Sequence, residues 1–278
     1  MKPRPARAFC PGFFLAGGHL PRKRFGQHFL VDPGVIHAIA EAIAPEKGDT
    51  LAEIGPGLGA LTGPLLERLD CLHALEIDRD LIARLKQRFC PERLIVHEGD
   101  VLAFDFARLS PGLRVAGNLP YNISTPLLFH LSRFADRIRD MHFMLQKEVV
   151  ERMTASPGSP AYGRLSVMLQ YRFHLEKLFD VPPECFSPSP RVWSAVARLI
   201  PKLAAERASC DAAALEKIVA AAFSQRRKML RNTLKPLFAE SELAALGIAP
   251  DKRAEDIPLA GFVALANFRA AARGRDSS

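Results

Sequence analysis

The sequence predicts an α/β protein built on a parallel, doubly wound sheet, with a small all-helical unit at its C-terminal end. Three observations predict it. From about residue 34, short apolar runs alternate with segments of helical periodicity, the pattern that right-handed strand–helix–strand crossovers leave in a sequence. A glycine-rich stretch, EIGPGLGA at 53–60, falls between the first such run and the next helical segment. Past residue 201 the strand pattern stops and only helical periodicity remains.

The elements follow in order. VIHAIAEAIA places Ile36, Ile39, Ala40 and Ile43 on one helical face and stops before Pro45. TLAEI reads as a short buried strand and ALTGPLLERL as a helix. CLHALE is a strand, RDLIARLKQRF a helix, and RLIVH and LRVAG are two more strands. STPLLFHLSRF reads as a helix with Thr125 as N-cap and Pro126 at its first position. MHFMLQ is a further strand. TASPGSPAYGRL and VPPECFSPSPRVWS read as loops, and WSAVARLIP is the last strand. Beyond it DAAALEKIVAAAF starts from Asp211 as N-cap, and RRKMLRNTL, ESELAALGI and LAGFVALANFRAAA read as helices. The expected organisation is a disordered extension over 1–18, an α/β domain over 19–201 and a helical domain over 202–278.

With 278 residues, 48% hydrophobic and 24% charged, the chain can bury a large core. Its net charge of +8 favours a polyanionic partner, nucleic acid first. The five cysteines are scattered without a C-x-x-C pair, which points to a reducing, cytoplasmic setting and away from disulfides or a zinc ribbon. The histidines have no metal-ligand spacing, so no metal is expected. No apolar run reaches the ~20 residues of a membrane span. The basic N-terminus resembles a signal peptide only superficially, because Pro11 and Gly12 interrupt its apolar part and RKR follows without a cleavage site. Nothing suggests a dimer seam, and a monomer is expected.

Glycines between a strand and a helix let the backbone approach a ligand, beside a helix start with unpaired N–H groups. EIGPGLGA fits G-x-G-x-x-A, and Glu76 ends the next strand 21 residues after Gly55, where a carboxylate binds ribose hydroxyls. This suits NAD. It equally suits the E-x-G-x-G-x-G loop of S-adenosylmethionine (SAM) methyltransferases, with Glu53 as the carboxylate before the turn. Asp100 ends the third strand, where it can accept from an adenine amino group. With Glu76 it outlines a nucleoside pocket that fits either cofactor.

The tetrapeptide NLPY, 118–121, decides between them. An adenine N6 amino group is a poor nucleophile because its lone pair is delocalised into the ring. Acceptors on both of its hydrogens, here the side-chain oxygen of Asn118 and the backbone C=O of Leu119, localise that pair. Pro120 fixes the turn, and Tyr121 offers a face for the base. Hydride transfer has no use for such an arrangement. The bland alternative is a tight proline turn capped by an aromatic.

Lined up, RKRFGQHFL, EIGPGLGALT, EIDRDL, GNLPYNISTPLLFH, MHFMLQKEVVERM, AYGRLSVMLQ, VPPECFSPSPRVWSAVARL and FSQRRKMLRNTL resemble, in order, the KsgA/RsmA family of small-subunit rRNA adenine N6,N6-dimethyltransferases. The resemblance spans about residues 19–270. It implies a Rossmann-like methyltransferase domain, SAM as cofactor, and dimethylation of two adjacent adenosines in a hairpin near the 3′ end of 16S rRNA in the small (30S) subunit, late in its assembly. By motif, His28 and Leu30 would close over SAM, Gly55 would face its methionine part, Glu76 the ribose and Asp100 the adenine, with Asn118 between cofactor and target. At His28 many relatives have Asn. Phe186, on the proline-stiffened loop, would stack opposite Tyr121 on an extruded adenine. Two basic runs, Arg22–Lys23–Arg24 and Arg226, Arg227, Lys228 and Arg231 on an expected helix, are candidate phosphate contacts. The rival readings are an Erm-type large-subunit rRNA methyltransferase, a DNA adenine methyltransferase, a non-catalytic ribosome-assembly factor and, most distantly, a NAD oxidoreductase.

Overall fold

The structure, a computed structural model, describes residues 27–276; the expected extension and the Arg22–Lys23–Arg24 run lie outside the described residues. Strands β2 (Leu51–Ile54), β3 (Leu72–Glu76), β4 (Leu94–Glu98), β5 (Leu113–Asn118) and β6 (Ile138–Gln146) run parallel, in the order β4-β3-β2-β5-β6. Helices α1 (Pro33–Ile43), α2 (Thr62–Arg68), α3 (Arg79–Arg88), α4 (Ser124–Ser132) and α5 (Lys147–Thr154) connect and cover them. The doubly wound expectation holds for this part. The sheet then departs from it: β9 (Ser194–Pro201) is antiparallel to both β6 and the edge strand β7 (Phe173–Val181). No helix crosses between β7 and β9, and without a crossover neighbouring strands meet antiparallel.

The chain between MHFMLQ and WSAVARLIP holds more than loops. It contains α6 (Arg164–Arg172), β7 and a two-residue strand, β8 (Phe186–Ser187). β8 pairs antiparallel with β1 (Phe29–Leu30), matching Leu30 to Phe186. Buried side chains of α1 and α2 pack one face of the sheet, and those of α4, α5 and α6 the other. A third apolar cluster joins Val167, Met168 and Tyr171 of α6 to α7 (Ala212–Ala222), α8 (Leu230–Thr233), α9 (Glu240–Ala245) and α10 (Leu259–Asp276).

Two local expectations need correction. Helix α4 starts at Ser124, not after Thr125, because the turn closed by Ile123 N–H donating to Pro120 O (3.2 Å) feeds directly into it. Ser124 Oγ also donates to Pro120 O at 3.0 Å. RRKMLRNTL is helical only over Leu230–Thr233. Leu230 N–H donates to Lys252 O (2.8 Å) and Arg231 N–H to Pro250 O (2.9 Å), so tertiary partners hold this backbone out of a continuous helix. Asp211 does cap α7, accepting from Ala213 N–H at 2.9 Å.

Gly117 sets how closely β5 approaches β2. A Cβ there would lie 2.3 Å from the carbonyl oxygen of Ile54, a contact that no side chain tolerates without backbone movement. The approach seats Asn118 directly beside Gly55. At the opposite end of β5, the buried Arg114 grips Asp140 through two parallel bonds (2.9 and 3.0 Å) and Asp49 through a third at 2.8 Å. Such forked ion pairs fix geometry as well as charge.

Candidate functional site

The carboxyl ends of β2, β3, β4 and β5 open into two adjoining cavities. The first, an open cleft, is lined by His28, Leu30, Glu53, Gly55, Gly57, Glu76, Asn118, Leu119, Pro120, Tyr121 and Met144, among others. The second is lined by Asp100, Val101, Leu102, Asn122 and Ile123, and shares Gly55, Glu76, Ile77 and Pro120 with the first. This is where doubly wound sheets bind ligands.

The glycine loop is bent by positive φ at Gly55 (64°), Gly57 (59°) and Gly59 (78°). At Gly57 two constraints meet. A Cβ would press on the Phe29 ring at 3.1 Å, and the N–H of Gly57 donates to Glu76 Oε2 at 3.3 Å. Glu76 Oε1 accepts from the N–H groups of Ile77 and Asp78, both at 2.9 Å. Burial nevertheless pushes the Glu76 carboxyl above its ordinary pKa, against those three bonds and with some help from Asp78. Glu53 is buried more deeply, and burial drives its pKa up to about 7, against the hydrogen bond that Thr62 donates at 2.6 Å. Asp100 is exposed and accepts from Leu102 N–H at 2.9 Å.

Around NLPY the geometry is specific. Asn118 Nδ2 donates to the backbone oxygen of His28 at 2.9 Å, which leaves Oδ1 as its acceptor. Leu119 N–H donates to Met144 O at 3.1 Å. Tyr121 hydroxyl shares a 2.6 Å hydrogen bond with the buried Ser194 Oγ. Its ring stacks on His28, with centroids 5.5 Å apart and planes at 26°. His28 Nδ1 reaches Pro188 O at 2.8 Å. The tetrapeptide is therefore a turn, and one whose side chains open onto a cleft.

The structure brings His28, Leu30, Gly55, Glu76, Asp100, Asn118, Leu119, Pro120 and Tyr121 to these two cavities. Phe186 is the correction. It is 4% exposed, packs with the apolar cluster that holds Leu30 and Cys185, and lines neither cavity. Pairing of β8 with β1 turns its ring inward, and the ring beside Tyr121 is His28. On the helical side, Arg226, Arg227, Lys228 and Arg231 are all exposed, but the first three lie in a turn ahead of α8. Arg226 is also tied to Glu255 (3.6 Å) and to the Pro160 carbonyl.

Sequence reasoning passed over two participants and gave a third, Glu53, no part in the site. Ile77, 47% exposed, lines both cavities; an apolar residue after a strand-ending Glu was the available signal. Ser194 anchors Tyr121, with no local signal to reveal it. Glu53 enters the cleft, and its place in the E-x-G-x-G-x-G loop had marked it. Among the described residues, no three His, Cys, Asp or Glu side chains gather as a metal site requires, and no helix is long and apolar enough to cross a membrane.

The profile of one family, described as ribosomal RNA adenine dimethylase, matches residues 18–271. The chain belongs to the ribosomal RNA adenine dimethylase family. As a member of that family it is an enzyme, an rRNA-modifying methyltransferase. Among curated relatives of the dimethylase, ribosomal RNA small subunit methyltransferase A of Thiobacillus denitrificans is 63% identical over 252 residues, covering 91% of this chain and 99% of the relative. Its counterpart in Dechloromonas aromatica is 60% identical over 251 residues, covering 90% and 98%. Among solved structures, a dimethyladenosine transferase from Plasmodium falciparum superposes on the dimethylase with a TM-score of 0.75 at 27% identity, covering 87% of this chain and 98% of that one. The 23S rRNA methyltransferase ErmE shares the fold, with a TM-score of 0.64 at 24% identity, covering 86% and 98%.

Proposed function

We propose that this dimethylase uses SAM to place two methyl groups on the N6 atoms of each of two adjacent adenosines near the 3′ end of 16S rRNA. It would act as a cytoplasmic monomer on the assembling 30S subunit, through an α/β domain over 19–201 and a helical RNA-contacting domain over 202–278. The observation that carries the chemistry is the orientation of the Asn118 amide. With Nδ2 committed to His28 O, Oδ1 is the acceptor available at the end of β5.

The cavities fit SAM by their donors. Glu76 retains lone pairs for ribose hydroxyls, Asp100 has a second oxygen for an adenine amino group, and Ile77 and Leu102 offer apolar faces to the ring. Gly55 lets the methionine part approach the backbone, and His28 and Leu30 bound the cleft. SAM, when bound, supplies an electrophilic methyl on a sulfonium. The protein's own task is to hold the target amine. Asn118 Oδ1 and the Leu119 carbonyl accept its two hydrogens and localise the nitrogen lone pair. Tyr121, backed by His28 and anchored by Ser194, is the ring on which the extruded adenine stacks. No strong base is required, since the proton can leave after transfer.

Calorimetric titration tests the cofactor assignment: SAM binds and NAD does not. Glu76→Ala is expected to weaken SAM binding by about 1–3 kcal/mol through loss of charge-assisted hydrogen bonds. Glu76 also holds three backbone N–H groups, so thermal melting of the ligand-free variant must accompany the titration. Unchanged SAM affinity in a folded variant removes Glu76 from the site.

Arg227, Lys228 and Arg231 are the phosphate contacts proposed on the helical side. Arg226 adds less, being held by Glu255. Reversing Arg227 and Lys228 to Glu is expected to weaken subunit binding and reduce its log–log salt slope by up to about 2, with SAM affinity intact. An unaltered slope means that both are solvated surface.

A further inference from the structure

Just outside the cleft lies an aromatic side chain with no evident role in the fold. Trp193, the chain's only tryptophan, is 50% exposed, and its neighbour Val192 is 44% exposed. A large aromatic ring held half in water gives up much of the burial that usually stabilises it, and such rings recur where a partner covers them. The ladder uses only the backbone here, with Lys147 N–H donating to Trp193 O at 2.9 Å.

The surroundings indicate what covers it. Trp193 directly precedes Ser194, whose hydroxyl anchors Tyr121, and it stands beside the carboxyl end of β6, the same end of the sheet as Asn118. Lys147 Nζ lies 5.7 Å from the centre of its ring while paired with Asp180 at 2.7 Å. Arg191, two residues earlier, is exposed and has no hydrogen bond or ion pair among the described residues. An exposed indole one residue from the anchor of Tyr121, with Lys147 near its ring and the exposed Arg191 two residues away, has the composition of a single-strand stacking platform: the ring takes a base face and the cations take phosphate.

We infer that Trp193 is the stacking platform for the unpaired nucleotide that flanks the target adenosine, with Arg191 contacting the adjoining phosphate. This rests on the rRNA reading above and deepens it, since a flanking nucleotide stacked on protein beside the target favours unpaired RNA over a helix.

The test uses the full-length protein, SAM and undermethylated small subunits. Trp193→Ala is expected to raise the subunit concentration giving half-maximal single-turnover methylation by roughly 5- to 100-fold, the usual effect of losing one base–aromatic stack. SAM affinity and the plateau rate should move far less, and Trp193→Phe should restore most of the loss. A merely structural role would instead lower thermal stability and SAM affinity, and Phe would not restore subunit affinity selectively. Because Trp193 is the chain's only tryptophan, its emission should also be quenched by an RNA hairpin carrying two adjacent loop adenosines. Parent-like half-saturation in Trp193→Ala, or unmoved emission with hairpin saturating a filter-binding assay, overturns the platform while leaving methylation by the parent protein standing. If the parent transfers no methyl to small subunits, the functional reading fails, and the platform with it.

Discussion

Asn118→Ala is expected to slow single-turnover methyl transfer by roughly 100-fold or more, the usual consequence of removing one preorganised polar group from a reacting centre. In the proposed reading Oδ1 would act on the amine as its lone pair localises, so its contribution would grow toward the transition state. With the RNA proposed to be held largely through phosphates and stacking, subunit affinity should change little. The variant also loses the Nδ2 bond to His28 O, which ties the strand before α1 to the cleft. A modest fall in SAM affinity is expected on that account, and saturating SAM removes it from the measured rate. The competing view, a turn with no chemical part, predicts the opposite pattern. Thermal stability would fall while the rate per folded molecule stayed near the parent's. A folded Asn118→Ala protein with parent-like single-turnover rates would leave NLPY as a turn only.

Acidification is expected to expose a second, wholly structural liability. His142 on β6 is 3% exposed, and neither ring nitrogen has a hydrogen-bond partner among the described residues. Burial lowers its pKa to about 4; Asp140 at 3.7 Å and Glu176 oppose this, while Arg114 and Arg198 add to it. The sign follows from where the proton goes. An unfolded His titrates near 6.5, so below that pH the unfolded state takes up a proton that the native state refuses. Stability from this group is full above pH 6.5 and falls toward pH 4, with about 2 kcal/mol lost between pH 7.5 and 5. Glu53 acts in the other direction. Its native pKa of about 7 exceeds the unfolded value, so its contribution is full below pH 4.5 and disappears as the pH rises through 7. Total stability therefore mixes the two, and a variant comparison separates them. His142→Leu, similar in volume and without unpaired polar atoms, should be near neutral or stabilising at pH 7.5. In urea unfolding at pH 5 it should exceed the parent's stability by about 2 kcal/mol more than at pH 7.5. An equal difference at both pH values would show that His142 takes up its proton freely in the native state.

What was legible in the sequence follows from where each signal resides. Strands β2, β3, β5 and β6 are largely buried, so each is a compact apolar run, and the edge strand β4 still opens on the apolar run Leu94–Ile95–Val96. The glycine loop, Glu76, Asp100 and NLPY fall at the ends of these strands, where chain order alone fixes their neighbourhood. Strand β7 was illegible because it forms the sheet edge. Only Phe173 and Val181 of its nine residues are buried, and a bulge between Lys177 and Phe179 breaks its apolar–polar alternation. Helix α6 escaped because it serves two cores, with six of its nine residues buried and no clean polar face. The basic turn at Arg226–Lys228 looked helical because the backbone bonds that interrupt it come from residues 250 and 252, far along the chain. Phe186 was misread for a similar reason. Nothing local says that the residues after His28 return to pair with it, and that pairing buries its ring.

The measurement that tests the account most directly is a methylation map. The protein is incubated with methyl-labelled SAM and, separately, undermethylated small subunits and large subunits, and the labelled nucleotides are located. N6,N6-dimethyladenosine is expected at two adjacent adenosines near the 3′ end of the small-subunit rRNA, and is expected to be absent when Asn118→Ala replaces the parent at single-turnover times. Label in large-subunit rRNA, on any atom other than adenine N6, or on neither subunit would contradict it.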